Sequence, residues 1–440
     1  MITRYTPHCM QNIWLEEAKY QLWAEIELVV LRVLRQHKII TLSENVPHIS
    51  LFHMPSIITE SMAEELTTRH DVVAFLNIFE KALQKFLGHD SRFLHYGLTS
   101  SDLVDTALAL QIKKSLEEIK NALCDLTEQL DKLCIDHKDS VMMGRTHGMM
   151  AEPLTFGRVL YVYYQEFWRH QDRLAELQPR VTVGKLSGAV GTYAHLPPYV
   201  ERDVMAELSI GAWEEGPNQI VQRDRHAELL NWMALVGCSL EKLATQIRHL
   251  SRSEVCEVSE GHKRGYKGSS SMPQKRNAIN SENICGLSRL LRGYAVAGME
   301  DVALWHERDI SHSSVERVAI PDAFCLLYFM LDRMKTTLEN LVVNTTLMKE
   351  RVVKCNGQAN HEWMSQAVML RLIEEGMSRK EAHGLVQESL DNAVGKLKNN
   401  GGLGIDRHLK YITQQECTPE DPCFEDHCTA CSTFPSGSGG

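Results

Sequence analysis

Apolar residues recur at alternating steps of three and four along several long stretches of this 440-residue chain, and that spacing constrains its fold most. Leu116, Ile119, Leu123, Leu126, Leu130 and Leu133 fall on one stripe of a helix, because 3.6 residues complete a turn. A second stripe runs through Leu229, Met233, Val236, Leu240, Leu243, Ile247 and Leu250, and a third through Phe324, Leu327, Leu331, Met334, Leu338 and Leu341. Thr99, Ser100, Ser101 and Asp102 precede the first stripe and supply N-cap groups. Pro321 reads as a first-turn residue of the third. Two more helices fit Pro153 to Leu177 and Ser281 to Met299. Each narrow seam needs another helix to cover it, and strand-like alternation is scarce. The sequence therefore predicts an all-α fold around a bundle of long helices. Heptad spacing predicts packing partners, not chemistry.

The pattern divides into three helical domains: an N-terminal domain over 1–98, the long bundle over 99–345, and a smaller C-terminal domain over 346–440 that ends in an irregular, Cys-containing tail. Residues Ser436 to Gly440 read as a flexible end.

Composition narrows the function classes. A net charge of −10 argues against a general binder of nucleic acid, whose affinity comes from clustered Lys and Arg, while leaving room for a basic pocket that holds one phosphate. The longest run without a polar residue, Ala323 to Leu331, is far short of the ~20 residues that cross a bilayer. No basic segment followed by an apolar one opens the chain, so no secretory signal is expected. Eight of the twelve cysteines lie singly in apolar helical stretches, where Cys behaves as a small hydrophobe. A reducing cytoplasm is the expected home.

Polar segments between the helices carry the chemistry. In Lys267-Gly-Ser-Ser-Ser-Met-Pro-Gln-Lys-Arg-Asn277, followed by Glu282, one Gly and three Ser residues offer hydroxyls and backbone N–H groups, and Lys275 and Asn277 offer a cation and an amide that hold a carboxylate. On composition alone the segment reads either as that or as a Ser-rich surface loop. Its spacing, Gly268-Ser269-Ser270-x-Met272-Pro273-x-Lys275-x-Asn277, resembles the signature of the fumarase/aspartase superfamily. Seven fixed positions recur by chance roughly once in 10⁹ starting points. Gly97-Leu-Thr-Ser-Ser-Asp102 and Gly144-Arg-Thr-His-Gly148 resemble the superfamily's other shared regions, in the expected order.

Other residues select a branch. Arg4-Tyr5, Thr68-Arg-His-Asp-Val72, His95-Tyr-Gly97, Gln222-Arg-Asp-Arg-His226 and Trp305-His-Glu-Arg-Asp-Ile-Ser-His-Ser-Ser314 resemble the adenylosuccinate lyase family. They bring Arg, His, Ser and Thr donors of the kind a nucleotide monophosphate requires. The resemblance implies a carbon–nitrogen lyase of purine biosynthesis that releases AMP and fumarate from adenylosuccinate, acts also on the succinylated aminoimidazole carboxamide ribotide, and needs no cofactor or metal. It implies Ser269 as general base and His147 as general acid, with Lys275 and Asn277 on the carboxylates and Glu282 orienting His147 or its partners. His70 falls near the leaving nitrogen, Arg4, Tyr5 and His95 near the phosphate, and Arg69, Asp71, Thr99, Ser100, Thr146, Gln222, Arg308, Ser313 and Arg317 complete the substrate shell. It implies, finally, a homotetramer whose bundle helices form a common core and whose active sites are shared between subunits.

The match has departures. Ala278 stands where the family often has Pro, and Met149-Met150 where it often has His; Gln274 also occurs in argininosuccinate lyases, which remain the alternative among enzymes. A catalytically silent helical scaffold is the alternative outside them. Cys417, Cys423, Cys428 and Cys431, with His427, read as an unstructured end or, from one C-x-x-C pair, as a zinc site.

Overall fold

The computed structural model describes residues 2–212, 218–261, 271–272, 274–355, 358–359 and 362–399. These form an almost wholly helical structure with short two-stranded pairings, so the all-α reading holds. The first two stripes lie on the helices Ser100–Asp136 and Asp224–Leu250, and every residue of both is buried. The first helix has 37 residues, a span of about 55 Å.

The prolines required correction. Pro321 lies well inside the helix Ser311–Glu339, because an apolar face (Ala319, Ile320, Ala323, Phe324) continues across it. Packing on that face offsets the hydrogen bond that proline forfeits. Leu341, assigned to the same stripe, lies past the helix end and is only half-buried. Pro153 is not helical either: it sits in a strand opposite Met143, and the helix starts three residues later, as Phe156–Val181.

The chain forms two compact units, each assembled from separated stretches. The first comprises 1–129, 164–249 and 260–341. Its core gathers Trp23, Ile26, Leu31, Phe75, Phe79, Leu103 and Val204 from the helices Glu16–Gln36, Asp71–Leu87, Ser100–Asp136 and Pro198–Glu207, with Leu186 from the irregular segment before the last of them. Within this unit the helices Ile279–Glu300 and Ser311–Glu339 pack on each other.

The second unit comprises the described residues of 130–163, 250–259 and 342–399. Here β1 (Val141–Thr146) pairs antiparallel with β2 (Met149–Thr155), and the helix Thr345–Val353 packs against β1. A short antiparallel pair joins Val258–Ser259 to Val342–Val343. Among the described residues no helix is long and apolar enough to cross a membrane.

Candidate active site

Five expected residues meet in one polar chain in the first unit. Arg69 ends the helix Met54–Thr68 in the left-handed region at φ 51°, and His70, extended, is the N-cap residue of Asp71–Leu87. This tight reversal leaves Arg69 and His70 exposed. Asp71 Oδ2 accepts a hydrogen bond from Arg317 Nη2 at 2.7 Å, and Arg317 Nε donates to Ser313 Oγ at 3.3 Å. His70 Nδ1 lies 3.7 Å from Asp71 Oδ1, and its Nε2 lies 3.5 Å from Ser100 Oγ, at the outer limit of a hydrogen bond. Burial pushes the Asp71 carboxyl up, but the hydrogen bond and charge of Arg317 outweigh it and hold the group below its usual range. Two hydroxyls, an imidazole and a guanidinium thus share one ledge with the Asp71 carboxylate, which takes up part of the Arg317 charge.

Behind that ledge lie buried groups: Asp102, Arg223, His226 and His312 stand in segments the sequence had singled out, whereas Asp105, Lys185 and Glu316 were missed. Asp102 reaches back from the first turn of its helix to accept from Thr99 N–H at 2.8 Å, an arrangement of the capping-box kind. The same carboxylate pairs with Lys185, and both side chains are fully buried. Burial dominates and raises the Asp102 pKa despite the ammonium beside it. One turn on, Asp105 holds Arg223 through two hydrogen bonds of 2.8 and 3.0 Å, and Arg223 also donates to Glu316 at 3.0 Å. Glu316 pairs with His226 and, at 2.9 Å, with His312. Burial opposes its charge, but these neighbours hold it well below the carboxylate range. For Asp105 and Glu316 the only sequence signal was charge placed within helical stretches close to Ser100, Ser313 and Arg317.

The remaining expected residues of this unit have other partners or stand exposed. Arg4 and Tyr5 share the turn Thr3–Tyr5; Arg4 is exposed, while Tyr5 meets the Phe329 ring edge-on at 5.1 Å and accepts from Asn283 Nδ2 at 3.3 Å. His95, at φ 59°, receives both oxygens of the fully buried Glu27, one at its backbone N–H (2.9 Å) and one at Nδ1 (2.6 Å). Burial disfavours its charged form, but the hydrogen bond and charge of Glu27, with the charge of Asp102, raise its pKa. Arg308 donates to Gln219 at 3.1 Å, three residues before the half-buried Gln222. Lys275 is exposed, Asn277 half-buried, and Glu282 exposed in the first turn of Ile279–Glu300. Ser269 lies outside the described residues, as do the five Cys and His residues of the tail.

Thr146 and His147 belong to the second unit. Thr146 pairs with Met149, so His147 and Gly148 alone form the loop between β1 and β2. Both have positive φ, 53° and 79°, as a type I′ hairpin turn demands. Gly takes such a value freely, whereas His147 is held there at a cost of about 1–2 kcal/mol. The imidazole stands exposed at the hairpin tip.

A protein from Aquifex aeolicus (strain VF5) named adenylosuccinate lyase is 43% identical over 94% of this chain and 94% of its own length. One of the same name from Helicobacter pylori (strain J99) is 40% identical over 97% and 96%. The chain belongs to the adenylosuccinate lyase family. A family model described as lyase matches residues 61–293, a stretch that contains His70, His95, His147, Ser269, Lys275 and Glu282. The fold agrees with this membership of the fumarase/aspartase superfamily. A solved fumarate lyase from Mesorhizobium sp. BNC1 is similar with a TM-score of 0.75 at 26% identity, covering 90% of this chain and 89% of that one.

Proposed function

We propose that the chain cleaves adenylosuccinate to AMP and fumarate by β-elimination. The observation that carries this reading is near-full-length identity of 40–43% to adenylosuccinate lyases, joined to the donor ledge His70–Asp71–Arg317–Ser313 beside Ser100. A base removes a proton from the carbon next to one carboxylate, and that carboxylate takes up the resulting charge. As the double bond of fumarate forms, the C–N bonding pair passes to nitrogen, and an acid protonates it. General acid and general base each supply about 3–5 kcal/mol. A further ~3–4 kcal/mol per well-placed donor comes from stabilising the doubly charged carboxylate.

The general base is Ser269 and the general acid His147. Lys275 and Asn277 hold the succinyl carboxylates, and Glu282 orients His147 or its partners. His70 faces the leaving nitrogen; Arg4, Tyr5 and His95 hold the phosphate; and Arg69, Asp71, Thr99, Ser100, Thr146, Gln222, Arg308, Ser313 and Arg317 complete the shell. Because the succinylated aminoimidazole carboxamide ribotide shares the succinyl and phosphate ends, it is a second substrate. The reaction proceeds without cofactor or metal.

The active assembly is a homotetramer with shared sites. Leu235, Leu290, Val296, Met299 and Val318 are 46–58% exposed on the long helices of the first unit. Large apolar side chains on bundle helices fit association with further copies. Seven cysteines among the described residues are free thiols, which fits a reducing cytoplasm.

Fumarate formation, followed by ultraviolet absorbance, tests the reading: adenylosuccinate is turned over and argininosuccinate is not. Turnover of argininosuccinate alone would replace the proposal with that alternative, and turnover of neither would leave the silent scaffold.

A further inference from the structure

We infer that Glu257 is a positioning residue that fixes the hairpin bearing His147. The inference rests on the acid role proposed for His147.

Glu257 is fully buried, and Arg145, two residues before His147, grips it through a two-pronged contact. Arg145 Nη1 donates to Oε2 at 2.9 Å and Nη2 to Oε1 at 2.6 Å. Arg351 Nη1, from the helix Thr345–Val353, donates to the same Oε1 at 2.8 Å, while its Nη2 donates to Glu254 O at 2.7 Å. The Glu257 backbone is tied at both ends: its N–H donates to Leu250 O at 3.0 Å, and its carbonyl accepts from Asn344 N–H at 2.9 Å. The carboxylate is therefore a fixed post, and all these groups lie in the second unit.

The hairpin needs such a post. Residues 146–150 are exposed, and the β1–β2 register shifts between Met143 and Arg145, at Gly144. A Cβ at Gly144 would come within 2.8 Å of Glu152 O, so the strands approach closely at this irregularity. A two-stranded ribbon is marginal alone, and a bulge lets it bend. Beyond the bulge, Arg145 is the strand residue that ties the tip to a buried group. From Arg145 to His147 the lever is about 6–7 Å, so a tilt of about 10° moves the imidazole by about 1 Å. A misplacement of about 1 Å at a reacting group costs up to about 10²-fold in rate.

The test is a kinetic cycle with adenylosuccinate. Glu257→Gln lowers kcat by about tenfold or more and changes KM by less than about threefold. In a His147→Ala background, where no imidazole remains to be positioned, the same substitution changes kcat by less than about twofold. Arg145→Lys keeps the charge and loses the fork; it lowers kcat about three- to tenfold and serves if Glu257→Gln does not fold. Equal losses in both backgrounds, or wild-type kcat in both Glu257→Gln and Arg145→Lys, would overturn the positioning role while leaving His147 as the acid. A wild-type kcat in His147→Ala would instead overturn the acid assignment, and the inference with it.

Discussion

The pairing of His95 with Glu27 shows what a residue-level reading reaches and where it stops. His95 stood out in the sequence because it sits in a recognisable segment, but Glu27 is an unremarked acid on a helix 68 residues away, and only folding makes them partners. Asp105 and Glu316 were equally hidden: a charge inside a helical pattern reads as a solvated face until its burial is known. The His95 pairing has a pH signature. The raised folded-state pKa means that the pair's stabilisation is fully present below the unfolded histidine value, about 6.5, and is lost as pH rises through the higher folded value. In thermal unfolding, the midpoint gap between wild type and His95→Ala therefore narrows from about pH 6 toward pH 9; a widening gap would contradict the assignment.

At the scale of elements, helices were the most legible part, because a stripe of Leu and Met at 3-4 spacing has few other ways to become buried. The turn at His147–Gly148 was not legible. The run Gly144-Arg-Thr-His-Gly148 has no large apolar residue to alternate with its polar ones, and a type I′ turn with His at its first position departs from the usual Asn-Gly signal. Pro153 and Pro321 misled for one reason, that a proline marks a helix start only when packing does not decide otherwise. The start of Ser100–Asp136 was legible in its cap residues, but the buried ammonium beneath it was not. Asp102→Ala strands Lys185 without its partner, at a cost of about 3–5 kcal/mol. Thermal unfolding should show a clear loss for Asp102→Ala, and Asp102→Leu combined with Lys185→Met should recover most of it. An unchanged midpoint in Asp102→Ala would show that the pair does not support the helix start.

For the whole molecule, a sequence read from end to end has no means of seeing that the described residues of 130–163, 250–259 and 342–399 group together, because packing and not order along the chain unites them. The apolar side chains left exposed on the long helices mark the same limit, since their partners are proposed to be other copies of the chain. In the proposed active site, His147 and Ser269 act on one substrate from different subunits. Mixing inactive His147→Ala and Ser269→Ala proteins, dissociating and reassembling them, and measuring fumarate release from adenylosuccinate tests this most directly. Random assembly of a tetramer with shared sites restores about one quarter of wild-type activity. No recovered activity in tetramers shown to contain both variants would contradict it.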